Sequence, residues 1–197
     1  SGTAALHLAL EALQLPRNSI VIVPDYTMVA CARAVTLAGL TPVFADCGPD
    51  LTLDVEKTRR LTHVVKNHAK ALMAVHVYGR RCNMDALAAI AYKHGLFLIE
   101  DLAEAHGIPI HPRTDAACWS FYKNKVIAGE EGGAVAFPKA PLVANYARLL
   151  RSLGFTEQHD FIHAPRGHNY RLANCLAKLI LESMKQYQNN LEQRRYL

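Results

Sequence analysis

The sequence has no CxxC pair, no run of Lys or Arg, and no apolar stretch long enough to span a membrane. Its five cysteines are scattered without metal-ligand spacing, a pattern that argues against a zinc fold and is typical of reduced thiols in the cytosol. The net charge of +5 is dispersed along the chain, so it favours small anionic ligands over a nucleic-acid surface. We therefore expect a cytoplasmic protein with neither a nucleic-acid nor a membrane partner.

Repeats and low-complexity segments are also missing, while 51% of the 197 residues are hydrophobic, enough for a large core. Short apolar runs alternate with segments of helical periodicity. Strands are predicted at residues 20–23, 42–45, 71–77, 96–101, 116–122 and 133–137. Helices are predicted at residues 4–15, 28–38, 55–68, 84–94, 141–153 and 172–195. The alternation predicts an α/β fold, a three-layer sandwich with a mostly parallel central sheet covered on both faces.

A carboxylate and an amine lie at the ends of predicted strands. Asp101 closes an apolar strand, and Lys125 lies in a turn ahead of Gly132 and Gly133. Ligands of parallel sheets bind beyond the carboxyl ends of the strands, where both side chains can converge. Pyridoxal phosphate needs such a pair, an amine for a Schiff base and an acid that keeps the pyridine nitrogen protonated. Glu100 should point to the opposite face, and the local chemistry does not exclude Lys123 as the amine.

Residues that can bind a phosphate stand at the start of the first predicted helix. Ser1, Gly2 and Thr3 open this helix, where exposed backbone N–H groups and the helix dipole attract anions. Ser120, five residues before Lys125, can donate a hydroxyl to the same phosphate. An ordinary capped helix with Thr3 as its N-cap is the alternative interpretation.

Three histidines, His76, His106 and His111, invite comparison with metal sites. No carboxylate or cysteine completes a recognised ligand spacing around them, so we predict no metal. His76 lies near a predicted strand end and is expected to form a hydrogen bond in the crevice.

Seven segments, taken in order, resemble the sugar aminotransferases of the DegT/DnrJ/EryC1/StrS family, which are pyridoxal phosphate enzymes of fold type I. The segments are residues 1–10, 24–29, 41–46, 75–79, 99–107, 120–133 and 167–171. Together they cover nearly the whole chain. The resemblance is strongest to the perosamine synthase-like enzymes, which aminate a nucleotide-linked 4-keto-6-deoxyhexose.

The resemblance implies roles for single residues. Lys125, rather than Lys123, matches the Schiff-base lysine, and Asp101 matches the partner of the pyridine nitrogen. Three further positions match the phosphate cradle: Gly2, Thr3 and Ser120.

The resemblance also implies a shared site and two departures from the common pattern. Asn169 matches a residue that reaches the phosphate of the neighbouring subunit, which implies a homodimer. Glu104 stands where many relatives have Gln near the ring hydroxyl. Met28 stands where many have an aromatic residue that stacks on the ring.

The implied activity is transfer of an amino group from an amino acid donor, glutamate by family habit, to a sugar nucleotide. Residues 1–197 match the large cofactor-binding domain, and we expect the N-terminal segment and the C-terminal small domain of the family to be absent. One alternative is a truncated, inactive remnant or interaction domain of the same fold. A second is a sugar dehydratase, although such relatives carry His in place of the lysine.

Overall fold

The computed structural model describes residues 1–156, 161, 163 and 165–195. Within them the strands are β1 (Ile20–Pro24), β2 (Thr41–Ala45), β3 (Ala69–Val75), β4 (Phe97–Asp101), β5 (Ala116–Ser120) and β6 (Gly133–Ala136). The helices are α1 (Gly2–Ala12), α2 (Ala30–Leu37), α3 (Val55–Val65), α4 (Met84–His94), α5 (Pro141–Arg151), α6 (Asn174–Lys185) and α7 (Tyr187–Arg195). None of these helices has the length and apolar character needed to cross a lipid bilayer.

The strands form one sheet in the order β2-β1-β3-β4-β5-β6. Strands β1 to β5 run parallel, and β6 pairs with β5 in the antiparallel direction. The predicted mostly parallel sheet is therefore confirmed. The inner strands β1, β3, β4 and β5 are largely buried because helices cover both faces, whereas the edge strands β2 and β6 are partly exposed.

Alternating side chains of the strands divide the core into two layers. Val21 and Val23 point into the layer that α1, α2 and α5 cover. Ile22 and Leu72 point the other way, into the layer beneath α3 and α4. The result is the predicted three-layer sandwich, and it follows from the two-residue period of a strand.

The strand order reverses at β1, which has β2 on one side and β3 on the other. In open parallel sheets a crevice forms at such a reversal, beyond the carboxyl ends of the strands. The segments that follow β1, β3 and β4 therefore lie around a common opening.

The first helix begins earlier than its sequence pattern predicted. It starts at Gly2, and its N-cap is Ser1 rather than Thr3, because the Ser1 hydroxyl accepts a hydrogen bond of 3.2 Å from the Ala4 amide. The last residues predicted for this helix fall outside it, since α1 ends at Ala12 and Gln14 has a φ of 51°.

The helix predicted over residues 172–195 is divided in two. Gln186 leaves helical geometry with φ −99° and ψ 12°, so α6 ends and α7 begins at Tyr187. The Tyr187 hydroxyl donates a hydrogen bond of 2.8 Å to the backbone carbonyl of His106. This contact anchors α7 against the loop after β4, and the pattern of the sequence contains no sign of it.

Candidate active site

A cavity of about 330 Å³ opens at the carboxyl ends of β1, β3, β4 and β5, beside the N-terminus of α1. Its lining includes seven of the eight predicted site residues: Gly2, Thr3, Met28, Asp101, Glu104, Ser120 and Lys125. The structure therefore brings together residues that are up to 123 positions apart in the sequence.

Asp101 is a buried carboxylate at the end of β4, with 6% of its surface exposed. One oxygen accepts a hydrogen bond of 2.9 Å from the Ala103 amide, and the other accepts one of 3.3 Å from the Cys31 thiol. Burial raises the pKa of Asp101, against the opposing effects of these hydrogen bonds and of the Lys125 charge. A cation placed in the cavity beside Asp101 would therefore be strongly favoured.

Cys31 is a contact of this site that the sequence analysis missed. It lies in α2, 70 residues before Asp101, and its sulfur also lies 3.2 Å from the Thr27 hydroxyl. The Thr27–Cys31 spacing is compatible with one face of a helix, but nothing in it points to Asp101. The partner lies on another element, so only the fold brings the two side chains together.

Lys125 forms an ion pair with Glu104, with 3.0 Å between Nζ and Oε1. The other Glu104 oxygen accepts a hydrogen bond of 2.8 Å from the Tyr78 amide. Burial alone raises the pKa of Glu104, but the hydrogen bonds from Tyr78 and Lys125 outweigh it, so the pKa lies below its ordinary value. Lys123 is exposed, with its ammonium 5.8 Å from the centre of the Tyr122 ring. The cavity therefore receives Lys125 and not Lys123.

The backbone of the Lys125 turn is held by α7. The Arg194 guanidinium donates hydrogen bonds of 2.7 Å to the Asn124 carbonyl and 2.9 Å to the Lys125 carbonyl. Asn190 donates another, of 3.1 Å, to the Val126 carbonyl. Because these bonds fix the backbone on both sides of Lys125, they limit the positions that its side chain can take.

The N-terminus of α1 packs directly on the end of β5. A Cβ atom placed on Gly2 would lie 2.7 Å from the Ser120 Cβ, so a larger residue cannot take this position without a shift. The first intrahelical bond runs from Ala5 to the Ser1 carbonyl, at 3.1 Å. The amides of residues 2 and 3 therefore have no partner within the helix. With the Ser120 hydroxyl beside them, they form a cradle suited to a phosphate.

Beneath the cavity lies a buried network around Glu100. The side chain points away from the Asp101 side, as predicted, and accepts hydrogen bonds from the His111 amide at 2.9 Å and from the Thr114 hydroxyl. The His76 Nδ1 accepts from the Cys82 amide at 3.2 Å, so its Nε2 donates to Glu100, at 3.0 Å. His76 thus supports the floor of the cavity.

The other two histidines considered as metal ligands have separate surroundings. The Nε2 of His111 lies 3.1 Å from the carboxylate of Asp85. The ring of His106 packs 5.7 Å from that of Phe121, and burial lowers the pKa of His106 to about 4. Each of the three histidines is therefore engaged in a different local contact.

A model of one protein family matches residues 1–197. The chain belongs to the DegT/DnrJ/EryC1/StrS aminotransferase family. Its fold is that of the fold type I aminotransferases, as the sequence predicted.

Among the relatives of this family member is the GDP-perosamine synthase of Caulobacter vibrioides, 37% identical over 200 residues, a match covering 98% of the chain and 53% of the relative. The structure of S. venezuelae DesV in complex with a ketimine intermediate superposes with a TM-score of 0.86 at 32% identity, covering 96% of this chain and 51% of that one. The structure of NtdA from Bacillus subtilis with bound cofactor PMP has a TM-score of 0.86 at 26% identity, covering 95% and 43%. The chain spans about half the length of the curated relatives it matches.

Two of the predicted site residues lie at or beyond the edge of the cavity. Met28 is at its rim, with 62% of its surface exposed. Asn169 is exposed and lines a separate hollow of about 630 Å³ between α1, β6 and α5. The chain's own cavity therefore does not include Asn169, and its action in a neighbouring subunit stays a prediction.

Proposed function

We propose that residues 1–197 form the large domain of a pyridoxal 5′-phosphate-dependent aminotransferase. Its substrates are an amino acid donor, glutamate, and a nucleotide-linked keto-sugar of the 4-keto-6-deoxyhexose type. The observation that carries the proposal is a single cavity lined by a buried carboxylate, Asp101, an amine, Lys125, and a glycine-serine cradle, Gly2 and Ser120. The names of the relatives, among them GDP-perosamine synthase, support the substrate class.

The residues present fit this cofactor. The cradle at Gly2, Thr3 and Ser120 suits its phosphate, and the buried Asp101 carboxylate suits a protonated ring nitrogen. When bound, pyridoxal phosphate supplies an aldehyde that condenses with amines and a ring that withdraws electrons from the attached carbon.

The chain's own residues then bind, orient and move protons. Lys125 supplies the amine that holds the cofactor and, once displaced by the donor, acts at Nζ as base and acid. Glu104, 3.0 Å from that nitrogen, fixes its position and balances its charge. The Asp101 carboxylate is buried, so water does not weaken its attraction for a positive charge on the ring nitrogen.

The site is proposed to be completed by a second copy of the chain. Asn169 is exposed and lies outside its own cavity, as expected of a residue that serves a neighbouring subunit. Large apolar side chains are exposed at or near the cavity opening, namely Tyr26, Met28, Val29 and Tyr78.

Mixing Lys125→Ala with Asn169→Ala protein tests this sharing. Hybrid dimers should regain cofactor linkage at one of their two sites, whereas no gain over either variant alone would count against it.

The decisive experiment is an absorbance titration with pyridoxal phosphate, followed by borohydride and mass spectrometry. The protein and the matched control Lys123→Ala should form a cofactor band that reduction fixes to Lys125, and Lys125→Ala should not. A band that persists in Lys125→Ala would show that the lysine is misassigned. Absence of any band would favour an inactive remnant or interaction domain.

Turnover separates the enzymatic alternatives once the cofactor is bound. An aminotransferase consumes glutamate and forms an amino sugar from a keto-sugar nucleotide. A dehydratase would also consume the donor, because loss of the sugar hydroxyl is a two-electron reduction that the donor must supply, but it would release ammonia and a deoxygenated keto-sugar that carries no amino group. Lys125 favours the first outcome, because a lysine at this position can both hold the cofactor and return protons.

A further inference from the structure

A second group of chemically active side chains lies further along α1, outside the lining of the cavity. His7 and Glu11 stand one helical turn apart, and His168 approaches them from the segment before α6. The Glu11 carboxylate lies 3.5 Å from the His7 Nε2 and 2.6 Å from the His168 Nε2. One potential ligand atom from each of the three lies within 4.8 Å of the others.

His7 has an unusual hydrogen-bonding state. The residue is 4% exposed, and its Nδ1 lies 3.0 Å from the Tyr170 hydroxyl. Its Nε2 is buried and has no hydrogen bond of good geometry among the residues that the structure describes. It faces the Glu11 carboxylate at 3.5 Å, and the Leu37 backbone also interacts with the ring. A buried polar atom without a partner costs free energy, so such an atom calls for an explanation.

The group combines two hydrogen bonds with ligand-atom spacings that are close to those of a metal site. Zn²⁺ binds imidazole nitrogen and carboxylate oxygen at about 2.0–2.2 Å, which places tetrahedral ligand atoms roughly 3.3–3.5 Å apart. The distance from the His7 Nε2 to the Glu11 Oε1 already meets this spacing. The His168 Nε2 contacts the other oxygen, Oε2, so a small rotation of the carboxylate has to bring one oxygen to face both rings. Tyr170 can accept from the Nδ1–H of His7, the outer contact that directs Nε2 towards a metal.

We propose that His7, Glu11 and His168 bind one Zn²⁺ ion, with water at the fourth position. His7 and His168 contribute Nε2, and Glu11 contributes a carboxylate oxygen. Glu11 and His168 have side chains 27% and 29% exposed, so solvent and metal can reach the site. Two histidines, one carboxylate and an open position form a known Zn²⁺ coordination set.

The ion would join two parts of the chain that are 157 residues apart. The His168 segment pairs with the end of α5 through backbone bonds from Leu153 to the His168 carbonyl, 3.0 Å, and from Tyr170 to the Arg151 carbonyl, 3.0 Å. In the sequence Asn169 lies between His168 and Tyr170, whose rings both contact His7. Metal binding would therefore fix the segment that carries Asn169 to the helix that carries Gly2.

The test is titration of chelator-treated protein with Co²⁺ and then Zn²⁺, without pyridoxal phosphate. We expect about one Co²⁺ per chain, with the intense visible absorption of a tetrahedral site, displaced by Zn²⁺. Glu11→Gln and His168→Gln should abolish the signal, and the exposed control His63→Gln should retain it. Tyr170→Phe should weaken the affinity by about 10-fold. Circular dichroism confirms that each variant is folded.

Zinc-edge X-ray absorption of the unmutated protein gives an independent measurement that no folding defect affects. The proposal requires a first shell of nitrogen and oxygen at about 2.0–2.2 Å and no sulfur at about 2.3 Å. A sulfur shell would assign the ion to cysteines, among them the exposed Cys175, and would overturn the proposal. Retention of the Co²⁺ spectrum in both Glu11→Gln and His168→Gln would overturn it as well.

Discussion

Two carboxyl groups of the cavity, Asp101 and Glu104, have pKa values shifted in opposite directions. Burial dominates at Asp101, whose charge finds no direct ion pair among the described side chains. At Glu104 the hydrogen bonds from Tyr78 and Lys125 outweigh burial. The cavity therefore disfavours the negative charge of Asp101 unless a cation is bound beside it, whereas it stabilises the negative charge of Glu104 without a ligand.

Asp101→Asn should stabilise the cofactor-free protein at neutral pH while it impairs the site. Because the pKa of Asp101 is raised in the folded protein, the free energy of unfolding falls as pH rises from the ordinary carboxyl pKa through the folded pKa. Asn does not ionise, so the variant does not lose this stability. We expect a gain of about 1 kcal/mol in the free energy of unfolding and much weaker cofactor binding. Urea unfolding at several pH values measures the gain. The control Asp46→Asn, at an exposed ion pair, should change neither the free energy of unfolding nor cofactor binding. An Asp101→Asn variant that is less stable than the parent at neutral pH would contradict the prediction.

Glu104→Gln should destabilise the protein by about 1 kcal/mol at neutral pH. The lowered pKa of Glu104 means that its contribution is complete above the ordinary carboxyl pKa and is lost as pH falls through the folded value. The difference between the variant and the parent should therefore disappear in acid. The same unfolding series tests this, with Glu56→Gln at an exposed pair as the control. A difference that does not depend on pH would show that the effect is steric.

At the scale of elements, the site depends on how closely α1 approaches β5 and β6. Gly2 lies against Ser120, and a Cβ on Gly133 would overlap the Ser1 carbonyl. The absence of two side chains thus allows a helix N-terminus to reach strand ends that belong to the far half of the chain.

Gly2→Ala should destabilise the protein by about 1–3 kcal/mol, because the added methyl group lies too close to the Ser120 Cβ and forces α1 away from β5. Affinity for pyridoxal phosphate should fall too. The double variant Gly2→Ala with Ser120→Gly should recover part of the stability, since the Ser120 Cβ and Oγ are gone and only its Cα, at 3.3 Å, remains close. Phosphate affinity should not recover. Thermal unfolding with and without cofactor separates the two effects. Equal stability of the two single variants and their combination would argue against direct contact.

The sequence alone predicted the elements in which apolar residues recur with a clear period, and the functional residues at the ends of strands. It predicted the six strands, the faces of Glu100 and Asp101, and seven residues of the cavity lining. It could not reveal contacts between distant elements, such as Cys31 with Asp101 or Arg194 with the Lys125 turn. Nor did helical periodicity predict the break at Gln186, because Tyr187 is positioned by a carbonyl 81 residues away.

At the scale of the whole molecule, the thiols report how completely the chain is folded. All five cysteines are free, and Cys175 is the exposed one. Burial raises the pKa of Cys47 to about 11 and that of Cys82 to about 12, and it also raises those of Cys31 and Cys118. Thiolate is the reactive form, so these four sites should be slow to react.

Alkylation of the native protein at neutral pH should therefore modify Cys175 first, with the four other sites protected until the chain unfolds. Mass spectrometry of peptides over a time course measures the order, and Cys175→Ser should remove the fast phase. Rapid labelling of Cys31 in the native protein would show that α2 opens beside Asp101. Labelling of all five at one rate would indicate global unfolding.

The packing of α1 on β5 and β6 also imposes a delay during synthesis. The helix emerges from the ribosome ahead of both strands, and β5 begins at Ala116. At a synthesis rate of about 5–20 residues per second, roughly 5–21 s pass between the end of α1 and the start of β5. Throughout that interval the apolar face of α1 is without its final partner, so its protection depends on α2, which follows soon after it, or on a chaperone.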